Sequence, residues 1–108
     1  MFFHKRNSVI TNQYNQFIRI TEAVISAVKE SGIQNGIVAV VSSHTTAGIM
    51  VNEALECLES DINDALRGLI PEDHPYAHAR ILRSYGSTAG NPTGHLKALL
   101  TGSHCLFP

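Results

Sequence analysis

The chain has 108 residues, 44% of them apolar and 16% charged, with a formal net charge of −1 when histidine is neutral. That length suits one small domain, residues 1–108, with a single core. The mixed charges offer no basic field for nucleic acid, and no apolar run is long enough to span a bilayer, so neither is an expected partner.

The chain opens MFFHKRNSV, where an apolar pair precedes the charges, the wrong order for a signal peptide. Residues 8–20, SVITNQYNQFIRI, alternate loosely and predict two strands with a turn near residues 12–15. Thr21 opens a predicted helix with Glu22 in its first turn; Val24, Ile25 and Val28 recur at helical spacing, and Gly32 ends the run. Asn35–Gly36 signals a turn, and GIVAVVSS (36–43) reads as a strand buried on both faces. After HTTA, GIMVN (48–52) predicts a second strand. From Glu53 the period becomes helical: Leu55, Leu58, Ile62, Ala65, Leu66 and Leu69 mark one face, acids crowd the rest, and Pro71 ends it. Residues 71–94 are irregular and rich in proline and glycine, the composition of a functional loop. HLKALLTG (95–102) predicts a short helix, and SHCLFP a final strand. The order reads as α+β with a mainly antiparallel sheet packed with helices.

Six histidines in so short a chain are the compositional oddity. Histidine is the commonest metal ligand and the usual general base near neutral pH, and it also caps, bonds backbone or faces water. His44 stands at the mouth of a predicted strand beside Thr45 and Thr46, placed either for function or for local backbone bonding. His78 lies in the irregular segment and His95 opens the last predicted helix. Three neutral imidazoles with an open fourth position would make a catalytic-type zinc site. Separations of 34 and 17 residues, however, match no local zinc motif. Asn52 and Glu53 end the second predicted strand, and Glu53 suits a general base, a partner of a histidine, or a carboxylate at a helix start. Lys97, Arg80 and Arg83 suit an anionic substrate or open water. Gly86, Ser87, Thr88, Gly90 and Asn91 form a polar loop before the last helix. Cys57 and Cys105 are far apart, form no CxxC, and read as free thiols of a reducing cytoplasm.

HTTAGIMVNE, then IPEDHPYAH, then GNPTGHLKALLTG resemble the YjbQ-like family, whose members carry the name secondary thiamine-phosphate synthase. The resemblance runs from about residue 8 to the end of the chain. It implies an α+β fold and a homotrimer. It implies that His44, His78 and His95 converge on a metal, zinc by their chemistry, with Glu53, Thr45 and Thr46 as catalytic groups. Asn52, Asn91 and Lys97 would bind a small anionic or phosphorylated substrate. Members of the family usually carry an Asp-Ala-His run where this chain has Thr93-Gly94-His95, and a serine where it has Leu99. They also continue into a C-terminal hairpin with a Gly-Thr-Trp-Gln signature, which this chain, with no tryptophan, is expected to lack. Three functions follow: a zinc-dependent enzyme with thiamine-phosphate synthesis as a side activity, a non-catalytic metal- or ligand-binding trimer, or a degenerate inactive copy.

Overall fold

The computed structural model describes residues 1–80 and 91–108. The elements, in chain order, are α1 (Thr21–Ser31), β1 (Val38–Val41), α2 (Glu56–Leu69), α3 (Ala77–Arg80), α4 (Pro92–Thr101) and β2 (His104–Phe107). β1 and β2 pair as an antiparallel two-stranded ribbon, giving a small α+β architecture. The chain divides into two compact units: Met1–Val40 with Leu106–Pro108, and Val41–Cys105.

In the first unit, α1 begins one residue after Ile20 and stops where the sequence requires it to. Gly32 takes a left-handed φ of 68°, a conformation without steric cost only for glycine, and its N–H bonds the carbonyl of Lys29 at 3.2 Å. The Ser31 hydroxyl donates to Val28 O at 2.6 Å and accepts the Ile33 N–H at 3.1 Å, which closes the helix end. The half-buried line on α1 is Ile20, Val24, Ala27 and Ser31, whereas Ile25 and Val28 are exposed. The apolar stripe is therefore turned from the predicted one. Residues 8–20 form no strand; a bend occupies 13–15, near the predicted turn. Loose alternation does not make a strand without a partner to share its ladder, and among the described residues β1 pairs only with β2. The same fact corrects β1. It is shorter than predicted, and its residues alternate half-buried and exposed, so one face rather than both is covered.

In the second unit, the chain beyond β1 follows the end of α4. Ser42 N–H bonds Ser103 O and Ile49 N–H bonds Gly102 O, each at 2.8 Å. Residues 48–52 are not a strand; this single link to Gly102 is too little for a ladder. The approach is close. A Cβ on Gly48 would lie 1.8 Å from Thr101 Oγ1 and 3.0 Å from the carbonyl oxygen of Gly102, so only glycine fits without movement.

α2 starts at Glu56, three residues later than the helical period began, and presents Leu58, Ile62 and Leu66 as its half-buried line. Leu55 and Leu69, the ends of the predicted face, are exposed. Ile70 then tucks in as the buried apolar residue among those described. α4 begins three residues before its predicted start because Pro92 occupies the first helical position, where its missing N–H costs nothing. The other two buried residues, Thr93 and Lys97, both lie on α4, and both are polar.

Candidate functional site

The residues singled out as functional fall in the second unit. His44 sits in a tight turn: Ala47 N–H bonds His44 O at 3.2 Å, and the Ser42 hydroxyl accepts the His44 N–H at 3.2 Å. Thr46 then turns back on the ring. Its backbone N–H lies 3.1 Å and its hydroxyl 2.8 Å from His44 Nδ1. A backbone N–H only donates, so Nδ1 carries the lone pair and the proton of the neutral ring sits on Nε2. Thr46 also faces the start of α4, where a Cβ built on Gly94 would meet Thr46 Cβ at 3.4 Å. That places the His44 turn beside the residue preceding His95.

His78, in the first turn of α3, lies against His95, in the first turns of α4. Their ring centres are 5.1 Å apart and the rings are perpendicular. Asn91, which precedes α4, offers Oδ1 at 3.2 Å from His78 Nε2. An amide oxygen only accepts, so Nε2 donates and Nδ1 of His78 keeps its lone pair. Two imidazoles on one tetrahedral zinc, with Zn–N near 2.0–2.1 Å, have centres about 5 Å apart. The His78–His95 pair fits that spacing, and its donor chemistry suits the ion. His44 is not yet part of such a set: among the described residues no three histidine, cysteine or carboxylate groups are placed to hold one metal.

The other candidates are placed as follows. Asn52 Oδ1 accepts the Glu53 N–H at 2.9 Å, and both residues are exposed ahead of α2. Among the described residues no hydrogen bond or ion pair joins Asn52, Glu53 or Thr45 to the three histidines. Lys97 is buried, with Nζ 2.9 Å from Glu72 Oε1. The polar loop candidates between 81 and 90, Arg83 among them, lie outside the described residues, as does the side chain of Arg80. Cys57 and Cys105 are free thiols.

Sequence reasoning missed Glu72. It lies in the turn after Pro71, and its second oxygen accepts the Thr93 hydroxyl at 3.2 Å. The signal was present in PED and in the four-residue spacing of Thr93 and Lys97, which puts both on one face of α4. The same turn is braced by Tyr76, whose hydroxyl donates to Pro71 O at 2.6 Å and whose ring packs on His74 at 4.6 Å. Partial burial, then the carboxylates of Glu72 and Asp73, push the Tyr76 phenol above the ordinary tyrosine range.

Fold and site together define a small α+β protein with a histidine pair at the start of a helix. The chain belongs to the family described as UPF0047 protein YjbQ-like, whose model matches residues 5–108. A UPF0047 protein of Methanothermobacter thermautotrophicus is 37% identical over 98 residues, covering 91% of this chain and 64% of the relative. One from Methanocaldococcus jannaschii is 34% identical, covering 85% and 61%. The chain thus spans somewhat less than two thirds of these two relatives. Among solved structures, a YjbQ-like protein of unknown function from Sulfolobus solfataricus superposes with a TM-score of 0.83 at 30% identity, covering 93% of this chain and 67% of that one. An uncharacterised conserved YjbQ/UPF0047 protein from Clostridium acetobutylicum gives 0.78 at 37% identity, covering 91% and 70%. No helix among the described residues is long and apolar enough to cross a membrane.

Proposed function

We propose that the histidine site binds zinc and hydrolyses a small phosphorylated or otherwise anionic substrate. The observation that carries this reading is the 5.1 Å approach of the His78 and His95 rings, with Asn91 fixing which nitrogen His78 leaves open. His78, through Nδ1, and His95 would hold the ion. When bound, zinc would lower the pKa of a coordinated water to about 7, supplying a nucleophile at neutral pH. Asn91 orients His78 by accepting its Nε2 proton, the kind of outer contact that fixes ring and tautomer. His44 would complete a three-nitrogen set once its ring leaves Thr46. Held as it is, its Nε2–H is instead a donor for a substrate oxygen, which keeps Thr46 in the chemistry in either case. Glu53 is the carboxylate assigned as base, with Asn52, Thr45 and Lys97 as supporting polar groups.

Transfer of a pyrimidine pyrophosphate to a thiazole phosphate is a side activity in this reading, because such transfers use magnesium held by carboxylates and phosphate oxygens. The relatives and solved structures named above carry no activity in their names, so the reaction class rests on the site's chemistry. A homotrimer belongs to the same reading: Leu99 and Leu100 on α4 are 76% and 55% exposed, apolar area that a second copy would cover. The alternative, a non-catalytic binding trimer, is favoured by one observation, the commitment of His44 Nδ1 to Thr46.

The test is turnover of a panel of phosphomonoesters by zinc-loaded protein beside His95→Ala and Glu53→Gln. The enzyme reading expects turnover in the parent and its loss in both variants. Zinc bound without turnover would select the binding protein.

A further inference from the structure

We propose that Glu72 is the positioning residue of the histidine site. Its carboxylate, gripped by Lys97 and Thr93 on one face of α4, holds His78 against His95 on another. The proposal rests on the reading above only in taking His78 and His95 as the site.

Three observations carry it. First, Glu72 and His78 are six residues apart on one short segment, and each end of that segment is fastened to α4. Glu72 accepts from Lys97 Nζ at 2.9 Å and Thr93 Oγ1 at 3.2 Å, while His78 donates to Asn91 and packs on His95. Thr93 and Lys97 are four residues apart and so stack on one helix face; Asn91 and His95, also four apart, stack on a face about 200° further round. The segment therefore grips the helix from two sides, and a rotation or slide that kept one attachment would break the other.

Second, the Glu72 attachment is buried on its α4 side, while the Glu72 side chain is 41% exposed. Thr93 and Lys97 are the two buried polar residues of α4, whereas His78 and Asn91 are exposed. A buried ammonium needs its partner, because leaving it unpaired costs far more than any exposed contact returns. The contact of His78 with Asn91, both exposed, is correspondingly the weaker end.

Third, the span between the two ends is stiffened. The Tyr76 hydroxyl ties back to Pro71 O, and Tyr76 N–H bonds His74 O at 2.9 Å, so the turn carries the restraint from Glu72 to the start of α3. His78 stands in the first turn of α3, directly after this turn, so its placement follows from these anchors. Thr93, which stands where an aspartate was expected from the resemblance, is the hydroxyl that seats Glu72.

The test measures the nuclear Overhauser contact between the ring protons of His78 and His95 in the metal-free protein, and zinc affinity by chelator competition. Both are compared in the parent, Glu72→Ala, Glu72→Gln and Thr93→Val, with Lys5→Ala as a control in the other unit. Expected are loss of the ring contact in Glu72→Ala, weakening in the other two site variants, no change in the control, and zinc binding reduced about 10- to 100-fold in Glu72→Ala. Should Glu72→Ala fail to fold, Glu72→Gln and Thr93→Val decide, since each keeps part of the attachment. A ring contact of parental strength in folded Glu72 and Thr93 variants overturns the proposal. If the parent binds no zinc, the proposed function falls while the ring contact still decides the role of Glu72.

Discussion

α1 and α4 are helices of 11 and 10 residues, yet they are held in different ways. α1 buries none of its residues, and an ion pair between Lys5 and Glu30, both substantially exposed, joins it to the N-terminal segment. α4 buries Thr93 and Lys97 and ties both to Glu72, while its leucines 96, 99 and 100 face outward. The lesson is that α4, which bears His95, is anchored by polar contacts rather than by buried apolar side chains among the described residues. Exposed charge pairs contribute little because water competes and both side chains lose freedom. A buried ammonium with a seated carboxylate faces less competition from water, here on the Lys97 side, since Glu72 is 41% exposed.

The most direct way to break this contrast is Glu72→Ala. It leaves the Lys97 charge buried without its carboxylate, and after allowing for the partial exposure of Glu72 the loss should be about 3 kcal/mol in urea denaturation. Next comes Gly48→Ala, which tests the close approach at the far end of α4. The new methyl collides with Thr101 Oγ1 and lies 3.0 Å from a backbone oxygen, so a loss of about 2 kcal/mol is expected from the same measurement.

Tyr76 sharpens the picture of the braced turn. Its folded pKa is raised, so the stability it contributes is complete below the ordinary tyrosine value near 10 and is lost as pH rises through the folded value. A titration followed at the Tyr76 ring carbon should give a midpoint above that ordinary value, and Glu72→Gln should lower it by removing one of the two nearby carboxylates. The smallest effect is expected in the other unit: Lys5→Ala should change stability by less than about 0.5 kcal/mol, since both partners are exposed.

Much of this was legible in the sequence, for identifiable reasons. Gly32 stops α1 because its left-handed conformation is cheap only for glycine, and that signal is local. The apolar period of α2 and the strands at 38–41 and 104–107 were likewise readable from their own residues. Residues 8–20 and 48–52 were misread as strands because alternation shows a possible face, while a strand exists only when another pairs with it. The start of α4 was placed too late because Pro92 was counted as loop rather than as a first helical residue.

At the site, the approach of His78 to His95 is what the family resemblance implies, since a separation of 17 residues conceals it from any spacing argument. The resemblance places an aspartate where this chain has Thr93. The structure shows a threonine that receives a carboxylate from Glu72 on a different segment, a pairing that becomes visible only when the turn is folded onto the helix.

The central claim is that His78 and His95 share one ligand position at the start of α4. Zinc titration of the metal-free protein, followed at the histidine ring nitrogens, tests it most directly. The account predicts that His78 and His95 shift together, through Nδ1 in His78, and saturate at about one zinc per chain. Independent shifts of the two rings, or none at any zinc concentration, would contradict it.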